Sequence, residues 1–406
     1  MEEKITFERA KEILKAQEIK PKNTERVFLH DALNRVLSAD IFATSDMPLF
    51  ALSNMDGYAI CSQDRDENNL FEVKSENPAG NENEAILKIG QKEAIKTFTG
   101  ARIPKNADML VPIENVEIRG DKIFIKEYSK VGEFIRQRGA NYTKGEKLLS
   151  KGTLLKAQHI GLLASLNQVF VEVFTKPKVG ILVSGNELLE IGEEKDRENA
   201  IYNANGHLLF AKITQYGGIP KLYKILKDNK QEVENTIKLA LSECDMVITS
   251  GGASVGDYDF VAKNLKENPQ SILFRGVRVK PGQHVWYAKL ENKEFFALPG
   301  FSNSTLVTFE LFAKDILIKL CGYGLKEQNI EVILEENLSK KDSRLEFRVG
   351  NIRNIDGVFY ADFANKKDFQ SAILNNFCPL EDNLVGLVKL QRENYSKGDK
   401  LQAILL

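Results

Sequence analysis

The chain has 406 residues, of which 43% are hydrophobic and 28% are charged, and its formal net charge is -1. This composition is ordinary for a folded globular protein, and the length predicts roughly two to four domains. The balanced charge argues against a general nucleic-acid binder, which would carry a basic excess. The most apolar run, residues 160–174, is too short to span a bilayer, and the acidic start has no signal-peptide core.

Cysteine spacing bears on the compartment and on metal binding. Cys61, Cys244, Cys321 and Cys378 lie far apart in the sequence, and no two of them form a CxxC pair. This spacing predicts neither a zinc site nor a disulfide framework. A reduced, cytoplasmic compartment is therefore the default expectation.

The first half of the chain predicts helices on either side of a β-rich segment. Residues 6–17 predict a helix that Thr6 caps and whose apolar residues share one face. A second helical run is predicted near residues 27–37. Short strands separated by glycine turns from about residue 48 to 147 predict a small β-rich lobe, and a helix is predicted over 157–167.

Strands alternate with helices from residue 178 to about 325, which predicts a mainly parallel sheet covered on both faces. Strands are predicted at 179–183, 246–249, 272–279 and 295–298, and helices at 205–216, 231–244, 260–267 and 302–321. Ligands bind outside the carboxyl ends of such strands, so residues 183–187 and the segment after residue 249 should face one crevice. After Gly324, five short strands predict a terminal β-barrel or sandwich.

The segment 248–259, Ile-Thr-Ser-Gly-Gly-Ala-Ser-Val-Gly-Asp-Tyr-Asp, carries the strongest functional signal. A strand that breaks into glycines can bring backbone N–H groups close to an anion, because glycine has no Cβ. Carboxylates just beyond the glycines can hold a divalent cation against that anion. Asp259 is the stronger candidate for that role, and Asp257 is predicted to cap the helix at 260–267. The pattern is typical of an enzyme site for a phosphorylated ligand with a metal.

Seven separated motifs then run in order along the chain. They are Phe-Ala-Leu-Ser-Asn-Met-Asp-Gly-Tyr-Ala at 50–59, Thr-Gly-Ala-Arg-Ile-Pro at 99–104 with Ala-Asp at 107–108, Arg-Gly at 138–139, Gly185 with Glu187, the glycine segment, Lys-Pro-Gly at 280–282 and Leu-Pro-Gly at 298–300. In this order and spacing the chain resembles the molybdopterin molybdenumtransferase family, which includes MoeA and the gephyrin E-domain.

The resemblance implies a reaction and an assembly. Adenylylated molybdopterin and molybdate would bind together, Mg²⁺ would assist, the pyrophosphate-type bond would be hydrolysed, and the metal would pass to the dithiolene with release of AMP. The resemblance also implies an elongated homodimer in which the β-rich lobe of one subunit completes the crevice of the other. The molybdopterin adenylyltransferase is a further expected partner.

The expected fold class is a multidomain α/β plus β protein with four domains. They are a helical or extended linker domain (1–47 and 148–177), a β-rich lobe (48–147), a central parallel-sheet α/β domain that is MogA-like and binds molybdopterin (178–325), and a C-terminal β-barrel (326–406).

The resemblance also assigns candidate site residues. The candidate catalytic residues are Asp56, Thr99, Glu187, Asp245 and Asp259, and the candidate metal ligands are Glu187, Asp259 and Asn186. The candidate substrate-binding residues are Gly251, Gly252, Ser254, Gly256, Arg275, Arg278, Lys280, Ser184, Gly185, Pro299, Gly300 and Arg138. On the residues alone, Asp56 could equally form a structural Asx-turn, Glu187 could be a surface cap, and Asp245 could mark a helix-to-strand junction.

Several positions depart from the family pattern. Asn186 and Asn141 stand where the family usually has aspartate, Asn203-Ala-Asn205 replaces Asp-Ser-Asn, and Phe301-Ser302 replaces Asn-Pro. Each Asp→Asn change removes a negative charge, so weaker cation binding is expected. Three interpretations stay open: an active insertase with relaxed requirements, a tungstate-preferring paralogue, and a scaffold that binds ligand without turnover. The retained acids favour activity.

Overall fold

A computed structural model of the chain describes residues 4–83, 87–195, 197–227, 229–251, 269–324, 329–340, 342–366, 374–378 and 383–406. The chain divides into two compact units. The large unit comprises Met1–Ser38, Gly152–Gly161 and Gln168–Leu406, and the small unit comprises Ala39–Lys151 and Leu162–Asn167. Over the described ranges, no helix has the length and apolar character needed to cross a bilayer.

The large unit is built on a six-stranded sheet. Its strands lie in the order Ile219–Leu222, Lys178–Val183, Met246–Ser250, Lys293–Leu298, Trp286–Leu290 and Ile272–Arg275. The first four run parallel, but Trp286–Leu290 runs antiparallel to both of its neighbours. The sheet is therefore mixed rather than purely parallel, and the Trp286 strand was not predicted.

The predicted strand at 272–279 is wrong in its second half. The strand ends at Arg275, and Val279–Lys280 pairs instead with Leu345–Ile355. Gly276 lies between the two segments with φ of +76°, a left-handed conformation that glycine adopts readily and that ends an extended strand.

Helices cover both faces of this sheet. On one face, Leu209 and Ile213 pack with Ile248 in one apolar cluster, whereas Val233 and Ile237 pack with strand residues of the other face in a second cluster. The described helices are Phe7–Ala16, Ala157–Ser165, Ala204–Gln215, Lys230–Glu243, Ser302–Thr308 and Lys314–Cys321, and a π-helical turn, Phe309–Ala313, joins the last two. The predicted helices at these places are confirmed. The predicted helix at 260–267 lies outside the described residues.

The helix predicted near residues 27–37 is wrong. Thr24–Phe28 forms a strand that pairs antiparallel with Phe170–Phe174, and a short 3-10 turn, Leu29–Ala32, follows it. The pairing partner lies far along the chain, so a local periodicity could not reveal it. Tertiary pairing overrides the helical pattern here.

The C-terminal segment forms a closed five-stranded barrel. Its strands are Asn329–Leu334, Leu345–Ile355, Val358–Asp362, Leu384–Leu390 and Lys400–Leu405. Leu345–Ile355 pairs with both Val358–Asp362 and Leu384–Leu390, and the other pairings complete the circle. The predicted strands are confirmed, and the barrel replaces the sandwich alternative.

The small unit contains a second six-stranded sheet. Its strands lie in the order Met109–Pro112, Gly57–Ile60, Glu93–Thr97, Leu70–Asn77, Lys122–Ile125 and Val116–Arg119. Tyr58, Ile60, Phe71 and Ile123 belong to its apolar core. The predicted run of short strands is confirmed. Short two-stranded pairs elsewhere are Ile41–Phe42 with Lys147–Leu149, Leu52–Ser53 with Ile135–Arg136, Leu188–Leu189 with Ile201–Tyr202, and Leu338–Ser339 with Asn394–Tyr395.

Candidate active site

Three parallel strands of the large unit end side by side at the carboxyl edge of the sheet. Ser250 is in register with Val183 on one side and with Leu298 on the other. The Ser184 N–H donates to the Ser250 carbonyl at 3.3 Å, and the Gly251 N–H donates to the Leu298 carbonyl at 3.3 Å. The segments that follow these strands therefore share one edge, as the sequence predicted.

Glycine allows the backbones to approach closely at this edge. Gly251 has φ of +92°, and a Cβ there would lie 2.8 Å from the Ser184 carbonyl oxygen. A Cβ at Gly300 would lie 3.5 Å from the Gly251 Cα, so these two backbones are neighbours. At Gly185 a Cβ would lie 2.6 Å from a carboxylate oxygen of Glu187. Main chain without side chains is therefore concentrated at this edge, and such main chain can approach an anion closely.

A polar network joins the strand ends to two helix starts. The Asn205 amide nitrogen donates to Ser250 Oγ at 2.9 Å and to the Gly300 carbonyl at 2.7 Å. The Thr305 hydroxyl donates to the Pro299 carbonyl at 2.6 Å and lies 3.2 Å from Ser250 Oγ. These bonds fix the 299–300 turn against the end of the Met246–Ser250 strand.

Sequence reasoning missed most of this network. Ser250 and Thr305 were not candidates, and Asn205 was noted only as part of a departure from the family pattern. The available signal was a polar side chain in the first turn of each helix that starts at the carboxyl edge. Asn203 is a further example, because its side chain caps the Ala204–Gln215 helix by accepting the Gly206 N–H at 2.9 Å.

Two buried oxygens at this edge have no hydrogen-bond partner among the described residues. They are Oδ1 of Asn205 and Oδ1 of Asn303, and both side chains belong to the first turns of helices that start at the edge. Leaving a buried acceptor unpaired costs about 1–3 kcal/mol. Such a cost is tolerated at a place where a ligand can supply the missing donor.

Glu187 and Asn186 are exposed at the same edge. The Asn186 carbonyl accepts from the Arg197 guanidinium at 2.8 Å, which orients this turn. A carboxylate and an amide oxygen are the hard donors that Mg²⁺ prefers, so these two residues fit such an ion. In the described part of the chain, no group of three or more His, Cys, Asp and Glu side chains is placed to hold a metal. Asp259, Gly252, Ser254 and Gly256 lie outside the described residues.

Asp245 lies away from this edge. It precedes the Met246–Ser250 strand and therefore sits at the amino edge of the sheet. Its carboxylate accepts from Lys22 Nζ at 2.9 Å and from the Lys178 N–H at 3.0 Å. Burial alone would raise the pKa of Asp245, but the Lys22 ammonium and the Lys178 N–H outweigh burial and lower the pKa. The structure assigns this carboxylate structural contacts.

The three cations proposed for phosphate binding are dispersed. Arg275 ends the edge strand Ile272–Arg275, and its guanidinium carbon lies 4.9 Å from the Trp286 ring centroid. Arg278 is exposed, and its N–H donates to the Ile5 carbonyl at 2.8 Å. The Lys280 ammonium lies 3.2 Å from Glu346 of the barrel and 3.8 Å from Asp342, so it is engaged in ion pairs there. Of the three, only Arg275 ends a strand at the carboxyl edge of the central sheet.

The small unit holds the remaining candidates. Both the N–H and the hydroxyl of Thr99 donate to Asp56 Oδ1 at 2.7 Å, and these two donors lower the pKa of the Asp56 carboxyl. Asp56 is therefore ionised at neutral pH, and both donors of the candidate catalytic residue Thr99 are engaged with it. Arg138 Nε donates to Asp46 Oδ2 at 2.6 Å in the same unit.

Comparisons with known proteins agree with this architecture. Residues 5–167 match the model of the MoeA N-terminal region, domains I and II, and residues 180–319 match that of the probable molybdopterin binding domain. A molybdopterin molybdenumtransferase of Nostoc sp. is 33% identical over 83% of this chain and 79% of its own length. The enzyme of the same name from Haemophilus influenzae is 33% identical over 85% of each chain.

The chain belongs to the molybdopterin molybdenumtransferase (MoeA) family. The resemblance inferred from the seven motifs is thereby confirmed. The fold agrees as well, since the crystal structure of the molybdopterin biosynthesis MoeA protein from Pyrococcus horikoshii OT3 superposes with a TM-score of 0.82 at 29% identity. That comparison covers 99% of this chain and 100% of the other.

Proposed function

We propose that this chain is a transferase of molybdenum cofactor biosynthesis that inserts the metal of molybdate into adenylylated molybdopterin. Water cleaves the pyrophosphate-type bond, AMP leaves, and the metal oxyanion is transferred to the dithiolene. The observation that carries the proposal is the carboxyl edge of the central sheet in a chain of this family. There Gly251 and Gly300 expose adjoining backbones, and the Asn205 and Asn303 oxygens await donors.

Each part of this edge has a role in the proposal. The backbone around Ser184, Gly185, Gly251, Pro299 and Gly300 binds the phosphate and the pterin, and Gly252, Ser254 and Gly256 are proposed as further substrate contacts. Asn205, held by Ser250 and Gly300, presents its free oxygen to an N–H or O–H of the ligand. Glu187 stands at the rim, where a carboxylate can orient the attacking water.

A magnesium ion is part of the proposal. Glu187 and Asn186 would hold it through oxygen atoms, and Asp259 would complete the set. When bound, the cation neutralises phosphate charge during cleavage of the bond. Because Asn186 replaces an aspartate, we expect weaker affinity for the ion than a two-carboxylate site would have.

We further propose a homodimer in the cytoplasm with the four domains at the boundaries given above. Phe28 and Phe170 are each 45% exposed and lie against each other, with ring centroids 5.7 Å apart. This pair is the exposed apolar surface on which we base the proposed contact with a second chain. The Asp56 and Thr99 pair would then serve the crevice of the partner subunit.

The test is a single-turnover reaction of the purified chain with adenylylated molybdopterin, molybdate and Mg²⁺, in which AMP release is followed. An active family member serves as the positive control, and a parallel reaction with tungstate ranks the two oxyanions. We expect AMP to form with the metal-loaded pterin. Binding of the adenylylated pterin without AMP, under conditions where the control enzyme releases it, would contradict the proposal and favour the scaffold interpretation.

A further inference from the structure

A cavity lies in the large unit, at the opposite end of the Ala204–Gln215 helix from Asn205. Its volume is about 360 Å³, within the range of small-molecule sites, roughly 300–1,000 Å³. It is lined by residues 33–36, 154, 156, 174–176, 214–217, 321 and 323. Twelve helical residues rise about 18 Å at 1.5 Å each, so this cavity is separate from the candidate active site.

The cavity is rich in positive charge. Arg35, Lys156 and Lys176 line it, and none of the described lining side chains is acidic. Arg35 is paired with Glu25. Lys156 Nζ donates to the neutral amide of Asn34 at 3.1 Å, and neither lysine has a carboxylate partner among the described residues. Two ammonium groups are therefore available to an anion.

A buried charge cluster next to Tyr216 adds to the positive electrostatic potential in the cavity. Lys212 and Lys314 share one carboxylate, that of Glu310, at 2.7 and 3.1 Å, and the Tyr216 hydroxyl also donates to it at 2.9 Å. The three charged side chains are at most 14% exposed. The cluster therefore carries one excess positive charge in a medium of low dielectric, where its field is weakly screened.

The carboxyl ends of two helices oppose this charge only in part. The Ala204–Gln215 and Lys314–Cys321 helices both end at the cavity, and each contributes about half a negative charge at most. The ammonium groups of Lys156 and Lys176, which have no carboxylate partner among the described residues, exceed that sum together with the buried excess. The cavity therefore favours an anion with more than one negative charge, and a phosphate monoester fits better than a single carboxylate.

The remaining lining suits a flat ring. Phe174, Tyr216 and Tyr323 supply aromatic surface, and the Tyr323 hydroxyl donates to the Tyr216 carbonyl at 3.1 Å, which fixes these two segments together. The amide of Gln215 offers a donor and an acceptor to polar ring edges. Burial raises the pKa of the Cys321 thiol to about 12, so the thiol stays protonated and provides no nucleophile. This lining is built for binding rather than for chemistry.

We propose that this cavity binds a small organic phosphate that carries a flat ring, of the nucleoside monophosphate class. The phosphate lies between Lys156 and Lys176, and the ring packs against Tyr216 and Tyr323. The inference goes beyond the proposed function, since it holds whether or not the chain inserts metal.

The test is calorimetric titration of the full chain with AMP, with hydrogen exchange read out by mass spectrometry in the same samples. The variant Lys156→Ala/Lys176→Ala removes the two ammonium groups that have no carboxylate partner among the described residues. The matched control, Lys224→Ala/Lys238→Ala, removes the same charge from exposed lysines beside and on the Lys230–Glu243 helix, which covers the other face of the sheet. Adenosine and inorganic phosphate are titrated as separate probes.

We expect AMP to slow exchange in residues 212–217 and 321–324 of the wild type. Affinity at this site should fall at least tenfold in the Lys156→Ala/Lys176→Ala chain and stay within twofold in the control. Adenosine should bind at least tenfold more weakly than AMP, and inorganic phosphate should compete with AMP. If the alanine variant unfolds, Lys156→Gln/Lys176→Gln makes the same comparison with side chains of similar length.

Three results would overturn the proposal. They are AMP affinity that is unchanged in the double variant, an equal loss in the control, and exchange protection confined to residues 184–187 and 203–206. The last result would place AMP only at the candidate active site. Failure of the insertion reaction would leave this test intact, because the titration contains neither molybdate nor pterin.

Discussion

The two edges of the central sheet treat their polar groups in opposite ways. At the carboxyl edge, Oδ1 of Asn205 and Oδ1 of Asn303 are buried without a partner among the described residues. At the amino edge, both carboxylate oxygens of Asp245 are engaged, one by the Lys22 ammonium and the other by the Lys178 N–H. The carboxyl edge therefore has acceptors without donors among the described residues, whereas the Asp245 carboxylate at the amino edge is fully hydrogen-bonded within the fold.

The difference separates a binding site from a structural junction. A carboxylate beside a strand is a weak indicator of function, since Asp245 and Glu187 both meet that description in the sequence. What distinguishes them is whether the protein itself satisfies the group. Unpaired buried acceptors cost free energy, and a ligand bound at the carboxyl edge would offset that cost for Asn205 and Asn303.

The largest expected effect is at Glu187. We expect Glu187→Gln to lower the rate of AMP release about 100-fold or more, because the charge that orients water or cation is lost. The free energy of unfolding should change by less than about 0.5 kcal/mol, since the side chain is exposed. Single-turnover kinetics and urea denaturation measure the two quantities. A normal rate would remove Glu187 from the site.

Replacing Asn205 should lower both the free energy of unfolding and the affinity for the adenylylated pterin. Asn205→Ala removes the donors to Ser250 Oγ and Gly300 O, so we expect the free energy of unfolding to fall by about 1–2 kcal/mol. Affinity for the adenylylated pterin should also fall about tenfold, because the free oxygen is lost. Thr305→Val is the matched control: it removes the hydroxyl that holds Pro299 and should destabilise the fold with a smaller loss of affinity. Equal losses of affinity in both variants would show that Asn205 acts only through the turn.

Replacing Asp245 should lower stability and spare the rate of AMP release, which is the reverse of what we expect for Glu187. We expect Asp245→Asn to lower the free energy of unfolding by about 1 kcal/mol, because a partly exposed ion pair and a charged hydrogen bond are weakened. The rate of AMP release should stay within twofold of the wild type. A large loss of rate with unchanged stability would erase the contrast between the two edges.

The smallest expected effect is the pH dependence of the contribution that the Asp245 carboxylate makes to the free energy of unfolding. The pKa of Asp245 is lowered in the folded state, so its stabilising contribution is present above the unfolded pKa of about 3.9 and is lost as pH falls through the folded value. The stability difference between wild type and Asp245→Asn should therefore shrink between pH 6 and pH 3. Chemical denaturation at the two pH values measures it, and a difference that does not change with pH would contradict the lowered pKa.

Local patterns predicted much of this fold. The Phe7–Ala16 helix, with its Thr6 cap, and the long helical segment that starts at Ser302 follow directly from apolar spacing and capping residues. Pairings between distant segments were not accessible in this way. The Thr24–Phe28 strand exists because Phe170–Phe174 is available to pair with it, and the Val279–Lys280 strand exists because the barrel offers Leu345 and Glu346.

The candidate site was predicted in part. The convergence of Ser184 and Gly251 followed from the rule that parallel strands end at one edge, whereas Gly300 was a candidate only through the family resemblance. The sequence could not show that Asp245 would be satisfied by Lys22, or that Lys280 would be held by Glu346, because each partner lies far away along the chain. Nor could it show that Asn205 would be left with one unpaired oxygen, since that depends on the packing of two helix starts against three strand ends.

The short Val279–Lys280 strand has a consequence for how the large unit can be divided. It is an extension of the central-sheet chain, yet its hydrogen-bonding partner belongs to the barrel. The N-terminal Phe7 ring likewise packs on Phe347 of the barrel, with centroids 5.0 Å apart. A chain cut after Gly324 would lose both attachments and expose apolar surface on what remained. Although the barrel resembles an independent module in sequence, it supports the rest of the large unit through these contacts and should not be separable from it.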